Sequence, residues 1–246
     1  MSHRRTWIAV LAGLTVLLLA ANATALAVGL DDDEERPEAA AKPPPPPGKS
    51  IVAGAIGRRI SIYAAPGAPA PSRSLSNPNE NGAPLVFLVK ERQGDWLHVL
   101  LPVRPNGSTG WIRASDVKLG QHSYRILIEL SAHRITVFDG PNVLLSEPVG
   151  VGTRATPTPG GNYYIKELLR PPTPNGPYGT YAYGLSGFSN QLTSFAGGEG
   201  VIGIHGTNDP SSIGKDVSFG CIRMSNAGIN KLAARLPLGT PVEIRP

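Results

Sequence analysis

Glycine and proline are the residues that most restrict how this chain can fold. The sequence contains 29 Gly and 25 Pro, together over a fifth of its 246 residues. Both residue types interrupt regular structure and favour turns. We therefore expect a mainly β protein, with short strands joined by turns and few long helices.

Residues 1–30 have the charge order of an export signal. Arg4 and Arg5 precede residues 7–30, which carry no charge, and the acidic run 31–35 follows. Two interpretations remain open: a cleaved signal peptide, or a membrane anchor formed by residues 7–30. In both cases the positive-inside rule places the rest of the chain outside the cytoplasm, in the cell envelope.

Residues 31–50 are predicted to be a disordered linker. They combine six acidic residues with five consecutive prolines, residues 43–47, and such a segment stays extended and cannot bury a core. From residue 51 onward, 18 Lys or Arg outnumber 12 Asp or Glu, so the folded part is basic. An anionic cell wall is a natural partner, whereas export and the lack of any Lys/Arg-rich run argue against nucleic acid.

The chain has a single cysteine, Cys221. One cysteine cannot form an internal disulfide, and the sequence offers no Cys/His cluster with the spacing of a zinc site. We therefore expect no metal and no organic cofactor. If Cys221 has a function, that function depends on the thiol itself.

Short apolar runs separated by turn residues predict a small antiparallel barrel over residues 51–119. The stretch 91–99 and the ending 110–112 are similar to bacterial Src-homology-3-like domains. Trp96 and Trp111 are expected in the core of this barrel rather than in a groove. This segment shows no catalytic pattern, so we assign it to wall or ligand binding.

A second β-rich domain is predicted over residues 121–246. Apolar residues alternate over 124–130 and recur over 135–138, which indicates a hairpin. Helical spacing of apolar residues appears only between Ser225 and Pro237. One short amphipathic helix is therefore expected after the cysteine.

His205 and Cys221 are the residues best suited to chemistry. A thiol nucleophile needs a base to remove its proton and backbone donors to hold the oxyanion that forms. Gly206 and Gly220 lie beside these residues in the sequence and suit tight turns at neighbouring strand ends. The spacing alone leaves open a buried, inert cysteine and a surface histidine.

Several stretches resemble the L,D-transpeptidase catalytic domain. They are residues 204–208, 211–214 and 218–224, and the Thr-Pro-x-Gly-x-aromatic turn at 158–163. The resemblance spans about 120 residues. It implies a mixed, Greek-key-like β-sandwich and an enzyme that acts on peptidoglycan stem peptides by ping-pong acyl transfer.

The same resemblance implies four catalytic residues. Cys221 attacks the carbonyl between the third residue of the stem and the D-amino acid in position four. His205 takes the thiol proton and returns it to the leaving amine, and backbone amides around Gly220 and Cys221 hold the oxyanion. Ser218 orients the His205 ring or, alternatively, stabilises a turn.

Three further residues are expected in substrate binding. Arg223 is placed to hold a carboxylate of the stem peptide, with a structural salt bridge as the alternative, and Gly206 and Tyr163 are predicted to line the substrate site. Many members of the family carry a second histidine immediately before the Gly-Cys pair. This chain has Phe219 there, so His205 is the evident base.

Three functions remain possible at this point. The first is a transpeptidase that forms 3→3 cross-links, and the second is an L,D-carboxypeptidase that passes the same acyl group to water. The third is a wall-binding protein without activity. Cysteine peptidases that cleave wall peptides place the cysteine before the histidine, whereas here His205 precedes Cys221.

Overall fold

A computed structural model describes residues 48–194 and 198–246. The predicted signal or anchor and nearly all of the predicted linker lie outside the described residues. Within the described ranges, no helix is long and apolar enough to span a bilayer.

The first half contains a five-stranded antiparallel sheet and a separate two-stranded hairpin. The sheet has the strand order β6-β5-β4-β1-β7, and β2 pairs with β3. A short 3-10 turn, Ala114–Asp116, connects β6 to β7. The strands are β1 (Ser50–Ala55), β2 (Arg59–Ile62), β3 (Arg73–Ser76), β4 (Val86–Gln93), β5 (Trp96–Leu100), β6 (Thr109–Arg113) and β7 (Val117–His122).

The prediction that Trp96 and Trp111 lie in the core was wrong. Strand β5 alternates, so that Leu97 and Val99 are buried while Trp96 and His98 face outward and are only half-buried. Trp111 stacks on His98 across the strand pair, with the ring centroids 4.8 Å apart. The indole rings therefore cover the outer face of the sheet.

The second half contains an eight-stranded mixed sheet with the strand order β10-β9-β8-β17-β12-β13-β14-β16, while β11 pairs with β15. The predicted hairpin is confirmed as β8 and β9. The elements are β8 (Tyr124–Glu129), β9 (Arg134–Asp139), β10 (Asn142–Pro148), β11 (Val151–Gly152), β12 (Gly161–Leu169), β13 (Ala182–Phe188), β14 (Val201–His205), β15 (Asp216–Ser218), β16 (Ile222–Arg223), α1 (Asn226–Ala233) and β17 (Pro241–Arg245).

The expected mainly β fold with one short helix after the cysteine is confirmed. Helix α1 begins at the predicted cap, because the Ser225 hydroxyl accepts a hydrogen bond of 2.9 Å from the Gly228 N–H. Ile229 and Leu232 on its inner face join the apolar core beneath the large sheet. The helix thereby buries the apolar side of the segment that follows the cysteine.

The two halves are joined by hydrogen bonds. The fully buried Tyr164 of β12 donates its hydroxyl proton to the Val86 carbonyl of β4 at 2.9 Å. The Arg104 guanidinium donates to the carbonyls of Ser189, Leu192 and Glu199 at 2.9, 3.2 and 2.8 Å. These bonds fix the first half against the β13–β14 connection.

We predict that Tyr164→Phe lowers the free energy of unfolding by about 1–2 kcal/mol, because it removes a buried hydrogen bond and leaves the Val86 carbonyl with one partner fewer. Urea denaturation followed by tryptophan fluorescence measures the change. Tyr124→Phe, at a half-buried tyrosine, is the matched control. An unchanged midpoint for Tyr164→Phe would contradict this role.

Candidate active site

The parallel pairing of β14 with β16 brings the predicted pair together. Ile204 is registered with Ile222, and His205 with Arg223. Side chains alternate between the faces of a strand, and registered neighbours share a face. Ile204 and Ile222 are fully buried in the core, so His205, Arg223 and Cys221 lie on the opposite face.

The Cys221 thiol and the His205 imidazole both lie beside Gly203. A Cβ atom built on Gly203 would lie 4.0 Å from the Cys221 Sγ and 4.0 Å from the His205 Cδ2. The Gly203 backbone also forms a hydrogen bond with the thiol. Both reactive groups therefore lie beside the same glycine, and no Cβ separates them at this position.

The Gly206 carbonyl fixes the protonation form of the His205 ring. Its oxygen lies 2.6 Å from Nδ1 of His205. A carbonyl oxygen can only accept, so Nδ1 donates its proton and Nε2 carries the free lone pair. Tyr178 packs edge-on against the ring, with the centroids 4.9 Å apart. The sequence offered no signal for Tyr178 beyond one aromatic residue in a Pro/Gly-rich loop.

The surroundings keep both reactive groups uncharged at neutral pH. Burial lowers the pKa of His205 to about 4, although the hydrogen bond to the Gly206 carbonyl acts in the opposite direction, and the charge of Arg223 lowers the pKa further. Burial also raises the pKa of the Cys221 thiol, although the Gly203 hydrogen bond and Arg223 act in the opposite direction. The resting pair is therefore a neutral imidazole and a protonated thiol.

The catalytic assignment required Ser218 to orient the His205 imidazole, and the structure shows other contacts for this residue. Its hydroxyl donates to the Cys221 carbonyl at 2.6 Å and accepts from the Gly220 N–H at 3.1 Å. Its carbonyl accepts from Thr153 and Thr156 at 3.0 and 3.1 Å. Ser218 therefore stabilises the turn before Cys221, which was the alternative that the sequence left open.

Gly220 shapes the same turn. Its φ of 113° lies in a region that favours glycine. Because its N–H is already engaged by Ser218, the Gly220 amide is not available to an oxyanion in this arrangement. The Cys221 amide is the other donor that the sequence had suggested.

Arg223 lies on the reactive face, registered with His205. Its Nε atom is buried and finds no hydrogen-bond partner among the residues described. None of the ion pairs found within 48–194 and 198–246 includes Arg223. An unpaired buried donor of this kind suits an anionic ligand better than the structural salt bridge that was the alternative.

Gly206 and Tyr163 do not line the pocket beside Cys221, contrary to prediction. Gly206 acts on the base through its carbonyl, and a Cβ there would collide with the Asn226 side chain. Tyr163 is 2% exposed, and its hydroxyl donates to the carbonyls of Pro159 and Gly160 at 3.2 and 3.0 Å. Its place in β12 turns the ring into the core, where it supports the Thr-Pro-x-Gly turn.

A pocket of about 470 Å³ opens beside the thiol. His205, Cys221 and Tyr178 line one part of it, and Glu167 and Asn81 line another. Asn81 belongs to the first half of the chain, so both halves contribute to the lining. Within the described ranges, no group of three or more His, Cys, Asp or Glu side chains is placed to hold a metal ion.

Comparison with known proteins gives matches to one part of the chain. The YkuD protein of Bacillus licheniformis is 40% identical over 123 residues, which are 50% of this chain and 66% of that protein. The YkuD protein of Bacillus subtilis is 40% identical over 121 residues, 49% of this chain and 65% of that protein. The chain thus spans slightly less than two thirds of the length of these relatives.

Among solved structures, the L,D-transpeptidase from Mycobacterium smegmatis is 15% identical, with a TM-score of 0.42, and the match covers 65% of this chain and 90% of that one. Residues 123–244 match the family model YkuD, which describes the L,D-transpeptidase catalytic domain. That range contains both His205 and Cys221. This chain therefore belongs to the L,D-transpeptidase catalytic domain family.

Proposed function

We propose that this protein is a peptidoglycan L,D-transpeptidase that forms 3→3 cross-links through a thioester on Cys221. The observation that carries this proposal is the β14–β16 register, which holds the thiol and the imidazole on one face beside Gly203. Family membership supports an acyl transfer, and the open pocket beside the thiol supports a peptide substrate.

The first half-reaction transfers the acyl group of the donor stem to sulfur. Nε2 of His205 takes the Sγ proton while Sγ attacks the carbonyl carbon of the third stem residue, and the C=O electron pair moves onto oxygen. The Cys221 amide is the backbone donor proposed for this oxyanion. Collapse breaks the C–N bond, and the D-amino acid leaves with the proton from His205.

The second half-reaction transfers the acyl group from sulfur to an amine of another stem. The amine nitrogen attacks the thioester carbonyl and gives a proton to Nε2 of His205. The C–S bond then breaks, and sulfur recovers that proton as the thiol of Cys221. The products are a new amide bond and the enzyme in its starting form.

The buried position of the pair determines when the proton moves. Since the imidazole is a weak base and the thiol a weak acid, proton transfer accompanies attack on the substrate rather than preceding it. The hydrogen bond from the imidazolium Nδ1 to the Gly206 carbonyl is then stronger, because the donor is charged. The Arg223 guanidinium is proposed to hold a carboxylate of the stem.

The rest of the chain fits a role in the envelope. We propose that residues 51–119 form a Src-homology-3-like domain that binds wall material, supported by five antiparallel strands around one apolar cluster. Residues 1–30 are proposed to direct export, as a cleaved signal or as an anchor. The basic charge of the folded part suits an anionic wall.

We predict that Cys221→Ala lowers turnover by at least about 10³-fold, because it removes the nucleophile. Mass spectrometry of tetrapeptide muropeptides incubated with D-methionine measures cross-linked dimers and D-methionine exchange. Val217→Ala, at an exposed residue of β15 four positions before the cysteine, is the matched control and is expected to retain activity.

Three outcomes would contradict the transpeptidase proposal. Full turnover by Cys221→Ala would exclude thiol catalysis. Tripeptide formed by the wild type, without dimers or exchange, would identify a carboxypeptidase. A wild-type protein that binds wall fragments and forms no product would indicate a binding protein.

We predict that iodoacetamide alkylates Cys221 slowly at pH 7, with a pH midpoint above that of glutathione, because burial raises the pKa of the thiol. Intact-mass spectrometry follows the reaction without ambiguity, since the chain has one cysteine. Glutathione in the same tube is the control. A rate already at its maximum at pH 6 would instead reveal a thiolate–imidazolium pair.

A further inference from the structure

Four residues form a row across the reactive face of the large sheet. Glu167 of β12 is registered with Gly184 of β13, and Gly184 is registered with Gly203 of β14. Gly203 lies beside Cys221 at the start of β16. Because registered residues share a face, the row runs from a carboxylate at one end to the nucleophile at the other.

The two glycines leave the middle of this row without side chains. A Cβ added to Gly184 would collide with the Glu167 carboxylate. The carboxylate therefore lies over Gly184 and extends from its own strand toward Cys221. All four residues line the same pocket. An extended group attached to the thiol can therefore lie over Gly203 and Gly184 and reach Glu167.

The Glu167 carboxylate is held in place by the first half of the chain. One of its oxygens, Oε2, accepts from the side-chain amides of Asn79 and Asn81 at 2.7 and 3.0 Å. The other oxygen, Oε1, has the Lys166 Nζ at 3.7 Å, which is beyond hydrogen-bond distance. A carboxylate has about four lone-pair sites, so Oε1 retains the capacity to accept.

Charge at this end of the pocket favours a cationic group. Glu80 and Glu199 line it together with Glu167. Two cations lie nearby: Lys166, shared between Glu167 and Glu80, whose oxygen lies 3.6 Å from Nζ, and Arg104, which donates to the Glu199 carbonyl. Three carboxylates against these two cations leave this end negative, whereas Arg223 makes the Cys221 end positive.

The length of the row matches a side chain that carries an amine. The Glu167 carboxylate over Gly184 is two strand spacings from Cys221, or roughly 10 Å. A lysine in the third stem position, attached to Cys221 by its carbonyl, would carry an ammonium at the end of a four-carbon stem. From the carbonyl carbon to that nitrogen the extended length is roughly 8 Å, which brings the ammonium within reach of Oε1.

We propose that Glu167 determines donor specificity by binding the side-chain ammonium of the third stem residue through Oε1. This inference rests on the function proposed above. Asn79 and Asn81 are positioning residues, because their side-chain amides fix the carboxylate through Oε2, the oxygen that the proposal does not assign to the donor. The first half of the chain thereby takes part in substrate selection.

The test measures binding and does not depend on turnover. Full-length Cys221→Ala is titrated in a calorimeter with two tetrapeptides that carry lysine or norleucine at the third position and differ only in the amine. We expect the lysine peptide to bind about 10-fold more tightly, which corresponds to about 1.4 kcal/mol. In Cys221→Ala/Glu167→Gln the two affinities are expected to be equal.

Glu91→Gln in the same Cys221→Ala background is the matched control, since it removes one negative charge at an exposed residue of β4. This variant is expected to keep the 10-fold preference. Equal affinities in Cys221→Ala alone would overturn the proposal, even if Glu167→Gln failed to fold. A preference that survives Glu167→Gln would also overturn it.

A second series tests the acceptor as an alternative source of the ammonium. The wild type is given a norleucine donor with D-lysine or D-norleucine as the free acceptor. If Glu167→Gln removes a preference between these acceptors and leaves donor binding unchanged, the assignment to the donor is wrong. If the wild type shows no turnover while Cys221→Ala still binds the lysine peptide more tightly, the proposed reaction is contradicted and the binding role of Glu167 is supported.

Discussion

The parallel hydrogen bonding between β14 and β16 is the constraint on which the site depends. It pairs residues that are eighteen positions apart in the sequence and thereby sets His205 and Cys221, sixteen positions apart, on one face. Ile204 and Ile222, their neighbours on these strands, fill the core on the other face, so the same alternation that stabilises the sheet turns His205 and Cys221 toward the pocket. The hydrogen bond of the Ser218 hydroxyl then holds the turn before Cys221, and the Gly206 carbonyl fixes the orientation of the His205 ring.

Burial gives this pair its chemical character. A base and a thiol that are both neutral at rest are protected from adventitious reaction, because little thiolate is present at neutral pH. In the proposed reaction the environment compensates when His205 becomes protonated, because the hydrogen bond that its Nδ1 donates to the Gly206 carbonyl becomes charge-assisted. Reactivity is thus linked to the presence of a substrate carbonyl.

Much of this arrangement could be predicted from the sequence, where local patterns are strong. The β8–β9 hairpin follows from alternation, and helix α1 follows from its cap and apolar spacing. The place of Glu167 in the same pocket as Cys221 could not be predicted. The two residues are 54 positions apart in the sequence, and their proximity depends on the register of four strands. Ser218 and Tyr163 were misassigned because sequence shows which groups are polar or aromatic, but not which neighbour they contact.

The hydrogen bonds that the Asn79 and Asn81 side chains donate to Glu167 have a consequence for how such proteins diverge. The loop that carries these asparagines belongs to the first half, yet it completes the wall of a pocket in the second. The lining of the pocket therefore depends on both halves of the chain. If residues 123–244 were recombined with a different leading segment, Cys221 and His205 would be kept but the lining of the pocket beside them would change.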